Sequence, residues 1–266
     1  MKVFVKSLPF TLIAILAFYS MSHAARVNNG AGLQGAYGKM ALGVEYDSDS
    51  ERDTEFDGGT EFDGDATVPF LAPGDRIVGG SLESSRIMLR GSVGLADWMD
   101  VFIHLGFADA DFSYQLIEAG VPEVISFSGD SDLAYGLGLK AAIANVEGYQ
   151  IYSNLQLFQS EVDGAYTEDG VLLGTAEATV QEIQLALYAA KTFDMWTPYG
   201  GLKFSELAVE IDRSIPGTTF HEEHKVDDNI GLFVGTDVVL KPGLSANIEF
   251  RFVDESALSL GLSWVF

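Results

Sequence analysis

The sequence predicts an all-β fold: a closed antiparallel transmembrane β-barrel of ten strands, with short turns at one end and long loops at the other. Three observations predict it. Segments in which apolar residues alternate with polar or small ones recur along the chain, the N-terminus reads as an export signal with no membrane helix after it, and the connections alternate in length. Eight and twelve strands, the neighbouring even numbers, are the alternatives.

The export signal comes first in the chain. Lys2 and Lys6 precede an apolar stretch from Leu8 to Phe18, and Ser22-His23-Ala24 places small residues at a cleavage site. Residues 1–24 therefore read as a signal peptide and 25–266 as one barrel domain. The apolar stretch is shorter than the roughly 20 residues that a membrane helix needs. Further on, Gly, Asp, Glu or Gln interrupts the apolar runs, so spanning falls to strands.

Ten segments follow. Met40, Leu42, Val44 and Tyr46 alternate with Ala41, Gly43 and Glu45; Ile87, Leu89, Val93 and Leu95 alternate with Arg86, Arg90, Ser92 and Gly94. Val101, Ile103, Leu105 and Phe107 oppose Phe102, His104 and Gly106, and Leu133 to Leu139 set Leu and Tyr against Gly136, Gly138 and Lys140. Ile151, Leu155 and Leu157 oppose Tyr152, Asn154 and Gln156; Ile183, Leu185 and Leu187 oppose Glu182, Gln184 and Tyr188. The seventh segment runs from Pro198 to Glu206, with Leu202 and Phe204 against Tyr199, Lys203 and Ser205; Pro198 sits at its start, where a missing donor is tolerated. Residues 229–238 and 246–252 continue the pattern, and the last segment alternates Leu258, Leu260, Leu262, Trp264 and Phe266 with Ala257, Ser259, Gly261, Ser263 and Val265.

Connection lengths agree with a barrel that starts and ends on one side of the membrane. Residues 96–100, 145–148, 193–197 and 241–243 are short, as inner turns are; 47–85, 109–131, 160–179 and 207–228 are long, as outer loops are. Only the last outer connection, 253–256, is tight. A soluble β-sandwich would alternate as well. Aromatic residues near segment ends, at Tyr46, Trp98, Tyr149, Trp196, Tyr199, Trp264 and Phe266, fit interfacial girdles and favour the membrane.

Composition narrows the partners. With 15 Lys and Arg against 39 Asp and Glu the net charge is −24, and it becomes more negative when a signal carrying Lys2 and Lys6 leaves. That excludes nucleic acid as a natural partner. Without cysteine there is no disulfide framework and no thiolate metal chemistry, and no cofactor is expected.

If the Leu, Ile, Val and Phe face meets lipid, the opposite face fills the lumen. That face carries Glu45, Arg86, Arg90, His104, Lys140, Tyr152 and Gln156, and further along Glu182, Tyr188, Lys203, Asp237, Glu249 and Arg251. A ten-strand bore is scarcely wider than its own side chains, and buried charges need partners, so this face reads as a hydrogen-bonded ionic plug or, alternatively, as the lining of a selective pore.

The first long loop repeats a hexapeptide, Thr54-Glu55-Phe56-Asp57-Gly58-Gly59 followed by Thr60-Glu61-Phe62-Asp63-Gly64-Asp65. Asp57, Asp63 and Asp65 are weak Ca²⁺ candidates beside glycine turns; a solvated, self-repelling loop is the plainer reading. His221-Glu222-Glu223-His224 lacks the spacing of a HExxH zinc site and has no helix to present it. An enzyme is not expected.

The C-terminal run Ala257 to Phe266 resembles the terminal strand that the bacterial barrel-assembly machinery reads. Ala96-Asp97-Trp98-Met99-Asp100-Val101, Thr197-Pro198-Tyr199-Gly200-Gly201-Leu202-Lys203 and Asn247-Ile248-Glu249-Phe250-Arg251-Phe252 resemble segments of the small outer-membrane barrels of the OmpA-like and Opa-like superfamily. The resemblance implies a bacterial outer-membrane location and an assembly signal in Leu258, Leu260, Leu262, Trp264 and Phe266. Its implied partners are outer-membrane lipid and lipopolysaccharide, with periplasmic chaperones and the assembly machinery during biogenesis. A monomer with a structural or surface-interaction role is expected, with a narrow channel as the alternative and an outer-membrane enzyme as the third reading.

Overall fold

The computed structural model describes residues 37–63, 66–215, 218–226 and 228–266; the expected signal peptide at 1–24 lies outside these, as does Asp65. The strands are β1 (Met40–Asp63), β2 (Ala66–Pro69), β3 (Arg76–Ala96), β4 (Met99–Glu118), β5 (Val121–Gly129), β6 (Asp132–Val146) and β7 (Tyr149–Glu168). They continue as β8 (Val171–Ala190), β9 (Trp196–Ile215), β10 (Thr218–Val226), β11 (Ile230–Lys241), β12 (Leu244–Phe252) and β13 (Ser256–Val265).

A ring of ten antiparallel strands closes: β1, β3, β4, β6, β7, β8, β9, β11, β12, β13 and back to β1, where Leu42 faces Trp264 and Asp47 faces Ser259. Full closure removes every exposed sheet edge from this ring. The long outer loops expected from the sequence are strands for most of their length. Their local chemistry explains why: Ala119-Gly120 and Asp169-Gly170 adopt successive positive φ, of 49° and 86° and of 47° and 77°, the two-residue turn whose twist suits a hairpin. The hairpins β4–β5 and β7–β8 therefore continue upward as paired strands, β7–β8 with one bulge between Tyr166 and Thr167.

These extensions build a second, narrower ring on the first. β5 stacks above β6 between β4 and β7, and β10 above β11 beside β9. The β12–β13 hairpin ends at the junction, and above it β10 pairs directly with β1, His224 opposite Phe56. The upper ring thus contains eight strands: β1, β3, β4, β5, β7, β8, β9 and β10.

The two storeys have opposite polarity. In the lower one Ile87, Leu89, Ile103, Leu105, Leu137, Leu185, Leu187 and Leu202 are exposed, and charged residues are buried inside. So continuous an apolar belt is stable only against lipid. In the upper storey Leu82, Phe112, Ile125, Phe127, Val162, Val180, Val209 and Ile211 form the buried core, while Glu177, Glu210 and Asp212 face out. Along β9 the inversion falls between Phe204, which is exposed, and Leu207, which is buried; along β8 it falls between Val180 and Ile183.

Trp98, Tyr149, Trp196, Trp264 and Phe266 are exposed at the short-turn end, and Tyr46 near the junction. Tyr199 departs from the expected girdle. It shares the inward face of Lys203 and Ser205 and is buried.

Candidate functional site

The lumen of the lower storey holds the densest chemistry in the molecule. Near the short-turn end the rings of Tyr152 and Tyr188 stack at 5.2 Å, and Phe233 meets Tyr188 edge-on at 5.7 Å. Lys140 places its ammonium 5.1 Å from the Tyr152 ring. Asn247 donates to Asp237 at 2.6 Å and to the Tyr199 hydroxyl at 2.8 Å, which in turn donates to Glu249 at 3.1 Å.

Higher up, Arg90 lies 4.2 Å over Phe102 and Arg86 4.8 Å over Phe158, while His104 Nε2 is 3.3 Å from Glu45. Gln156 and Gln184 are both buried. All thirteen lumen residues named from the sequence are buried, on the inward face of the ten-strand ring.

At the junction a layer of paired charged side chains is buried inside the ring. Arg251 donates to Asp47 at 2.7 Å, Asp49 at 3.1 Å, Glu255 at 2.5 Å and Ser259 at 2.6 Å. Arg86 also reaches Asp47, at 2.7 Å. Arg52 bonds Glu182 at 3.1 Å and Ser205 at 2.7 Å, and Lys203 pairs with Asp254 at 2.7 Å and with Glu255. Charge-assisted bonds of this kind are the strong ones, and here they cross-link six strands and one turn.

The turn is the unusual member. Residues 253–255 join β12 to β13, yet Asp254 and Glu255 are buried, folded inward under β10. Val253 takes a φ of +92°, which a β-branched residue rarely adopts. Gly231 makes the room: a Cβ there would lie 1.9 Å from the Asp254 carboxylate.

Sequence reasoning missed Arg52, Asp47, Asp49, Asp254 and Glu255, assigning the first three to a long outer loop and the last two to a tight outer connection. A signal existed for two of them. Asp47 and Asp49 continue the inward parity of Glu45, and a bulge after Asp49 then shifts that parity so that Arg52 and Thr54 point in.

The upper storey has a smaller polar centre within its apolar core. Glu222 accepts from Tyr114 at 2.5 Å, Tyr166 at 3.3 Å and Arg213 at 3.2 Å. Burial, and then the Glu222 charge, push both phenols well above their ordinary range. His224 is buried among Phe112, Tyr114 and Phe56, with ring centroids at 4.5, 5.1 and 5.4 Å.

Strand alternation disposes of the zinc-like motif. Glu222 and His224 point inward, whereas His221 and Glu223 lie on the outer face, where His221 bonds Asp212 at 2.8 Å and Glu223 at 3.2 Å. Of the Ca²⁺ candidates, Asp57 lies on a strand paired with Lys225 at 2.5 Å, and Asp63 ends β1. Among the described residues no group of three or more His, Asp or Glu side chains could hold a metal ion.

No family model matches the chain, and no curated protein matches it. Solved structures do. The chain is similar to the outer membrane protease OmpT from Escherichia coli, at 10% identity and a TM-score of 0.51 over 86% of this chain and 97% of that one. It is also similar to the outer membrane protein OprG from Pseudomonas aeruginosa, at 11% identity and 0.39 over 88% and 99%. The toluene transporter TbuX from Ralstonia pickettii matches at 11% and 0.41 over 92% and 96%. At such identities the likeness speaks for the fold alone. Together with the closed ten-strand ring and its apolar belt, the likeness to OmpT establishes that this chain has the fold of a bacterial outer-membrane β-barrel.

Proposed function

We propose that the protein is a plugged outer-membrane barrel with a structural or surface-interaction role, its lower storey an anchor and its upper storey the part that meets the exterior. The charged layer at the junction carries this reading. Arg52, Arg86, Lys203 and Arg251 occupy the bore against Asp47, Asp49, Glu182, Asp254 and Glu255, and a conducting path would have to break those bonds.

The reading includes a cleaved signal at 1–24, a monomer, and lipid and lipopolysaccharide around the belt. Leu258, Leu260, Leu262, Trp264 and Phe266, which face outward along β13, would be read by the assembly machinery after delivery by periplasmic chaperones. It assigns no catalysis to His221 or His224. The direct test is single-channel recording of the refolded protein in planar bilayers. Silence is expected from the intact protein, and discrete steps would replace the plug with a narrow channel.

A further inference from the structure

Two adjoining hairpin tips crown the upper storey. The β4–β5 tip carries Val121 and Val124, and the β7–β8 tip carries Val171, Leu172 and Leu173, all exposed; Leu172 is 66% exposed and Val171 64%. The Asp169 carboxylate accepts from the Val124 amide at 2.9 Å while the Asp169 amide donates to the Val124 carbonyl at 2.8 Å, so the tips are tied together. From Ala108, level with the membrane junction, β4 climbs ten residues to Glu118, roughly 33 Å of strand at about 3.3 Å per residue. The patch therefore stands clear of the lipid belt, where no bilayer covers it.

The two hairpins that carry the patch have charges of one sign. Residues 109–131 and 160–179, which build both hairpins, contain no Lys, Arg or His, and they carry Glu118, Glu123, Glu168, Asp169 and other acids. Desolvation first, and then the charges of Glu168, Glu118 and Asp169, hold the Glu123 carboxyl above its ordinary range. Arg76 stands across β4 opposite Ile117, a strand away from β5.

An exposed apolar patch with an acidic rim selects its occupant. A second copy would bring the same negative rim against this one, and an anionic lipid surface would be repelled. A cationic chain with one apolar face gains both apolar burial and charge complementarity. We propose that the paired β4–β5 and β7–β8 tips form a docking surface for a cationic amphipathic polypeptide, with Val121, Val124, Val171 and Leu172 taking its apolar face. The proposal rests on the reading of the upper storey as the exterior-facing working part.

The test is titration of a labelled Leu/Lys amphipathic peptide of about 18 residues, five turns of helix, into the full chain in phosphatidylcholine nanodiscs, with empty nanodiscs subtracted. Saturable binding is expected, weakened about tenfold by Val121→Ser with Leu172→Ser, weakened by Glu123→Gln with Glu168→Gln, and falling as salt rises. Heat-modifiable mobility in gels verifies that each variant is folded. Unchanged affinity in the folded serine variant overturns the proposal, as does equal binding of a Leu/Glu peptide. Self-association of the intact protein that the serine variant abolishes overturns it too, by making a second copy the occupant. Failure here would leave a silent bilayer recording intact, and a conducting barrel would leave the peptide titration intact, so the two readings fall separately.

Discussion

The lower and upper storeys are built from the same strands with opposite rules. On β8, Ile183, Leu185 and Leu187 face lipid while Glu182 and Gln184 point inward; a few residues earlier Ala176, Ala178 and Val180 are buried in the interior and Glu177 faces water. One continuous ladder of backbone hydrogen bonds serves both, because pairing is indifferent to which face is apolar. What changes at the junction is the solvent, and the side chains record it. The level at which the apolar face switches sides is therefore a physical marker of the membrane boundary.

The comparison can be broken most directly at the charged layer. Arg251→Ala leaves Asp47, Asp49 and Glu255 without their shared cation and is expected to destabilise the lower storey by about 3–5 kcal/mol; urea unfolding in lipid vesicles measures it. A small effect would mean that the layer is hydrated rather than closed. Ile211→Ala cuts into the apolar core above and should cost about 3 kcal/mol. That loss should appear as faster proteolysis of the upper strands while the heat-modifiable barrel persists, and simultaneous loss of both would show a single cooperative unit.

A paired substitution on one face of β8 sharpens the boundary. Leu185→Arg meets lipid and should cost about 2–3 kcal/mol, whereas Glu177→Arg meets water and should stay within about 0.5 kcal/mol. Equal costs would place both positions in one solvent. The smallest expected effect is on His221, whose hydrogen bond to Asp212, with Glu223 adding to it, raises its folded pKa above the ordinary 6.5. Its stabilising contribution is fully present below about pH 6.5 and is lost as pH rises through the higher folded value. Hydrogen exchange at the β9–β10 tip should quicken over that window, and His221→Gln should flatten the dependence.

The lower storey was legible in the sequence because lipid enforces strict alternation there. Leu202 and Phe204 against Lys203 and Ser205 announce their faces without any tertiary information. The upper storey was not, since its apolar residues take the other parity, as Leu207, Val209 and Ile211 do, and a reading that follows one phase sees the pattern dissolve into loop. Asp169-Gly170 between alternating residues was a hairpin signal within reach. The inward turn at Asp254 and Glu255 left no local trace. Its burial depends on Gly231 and Lys203, on two other strands.

That turn bears on how the ring finds its register. Sliding β13 along β1 by two residues would keep Leu260 and Leu262 on the lipid side and preserve the backbone ladder, so alternation alone cannot reject it. The ionic cluster can. A slip of that size, roughly 6.6 Å of strand, would carry Arg251 away from Asp47 and Asp254 away from Lys203, leaving charges stranded in the bore. The β12–β13 hairpin thus carries charges that favour the observed register over the slipped one.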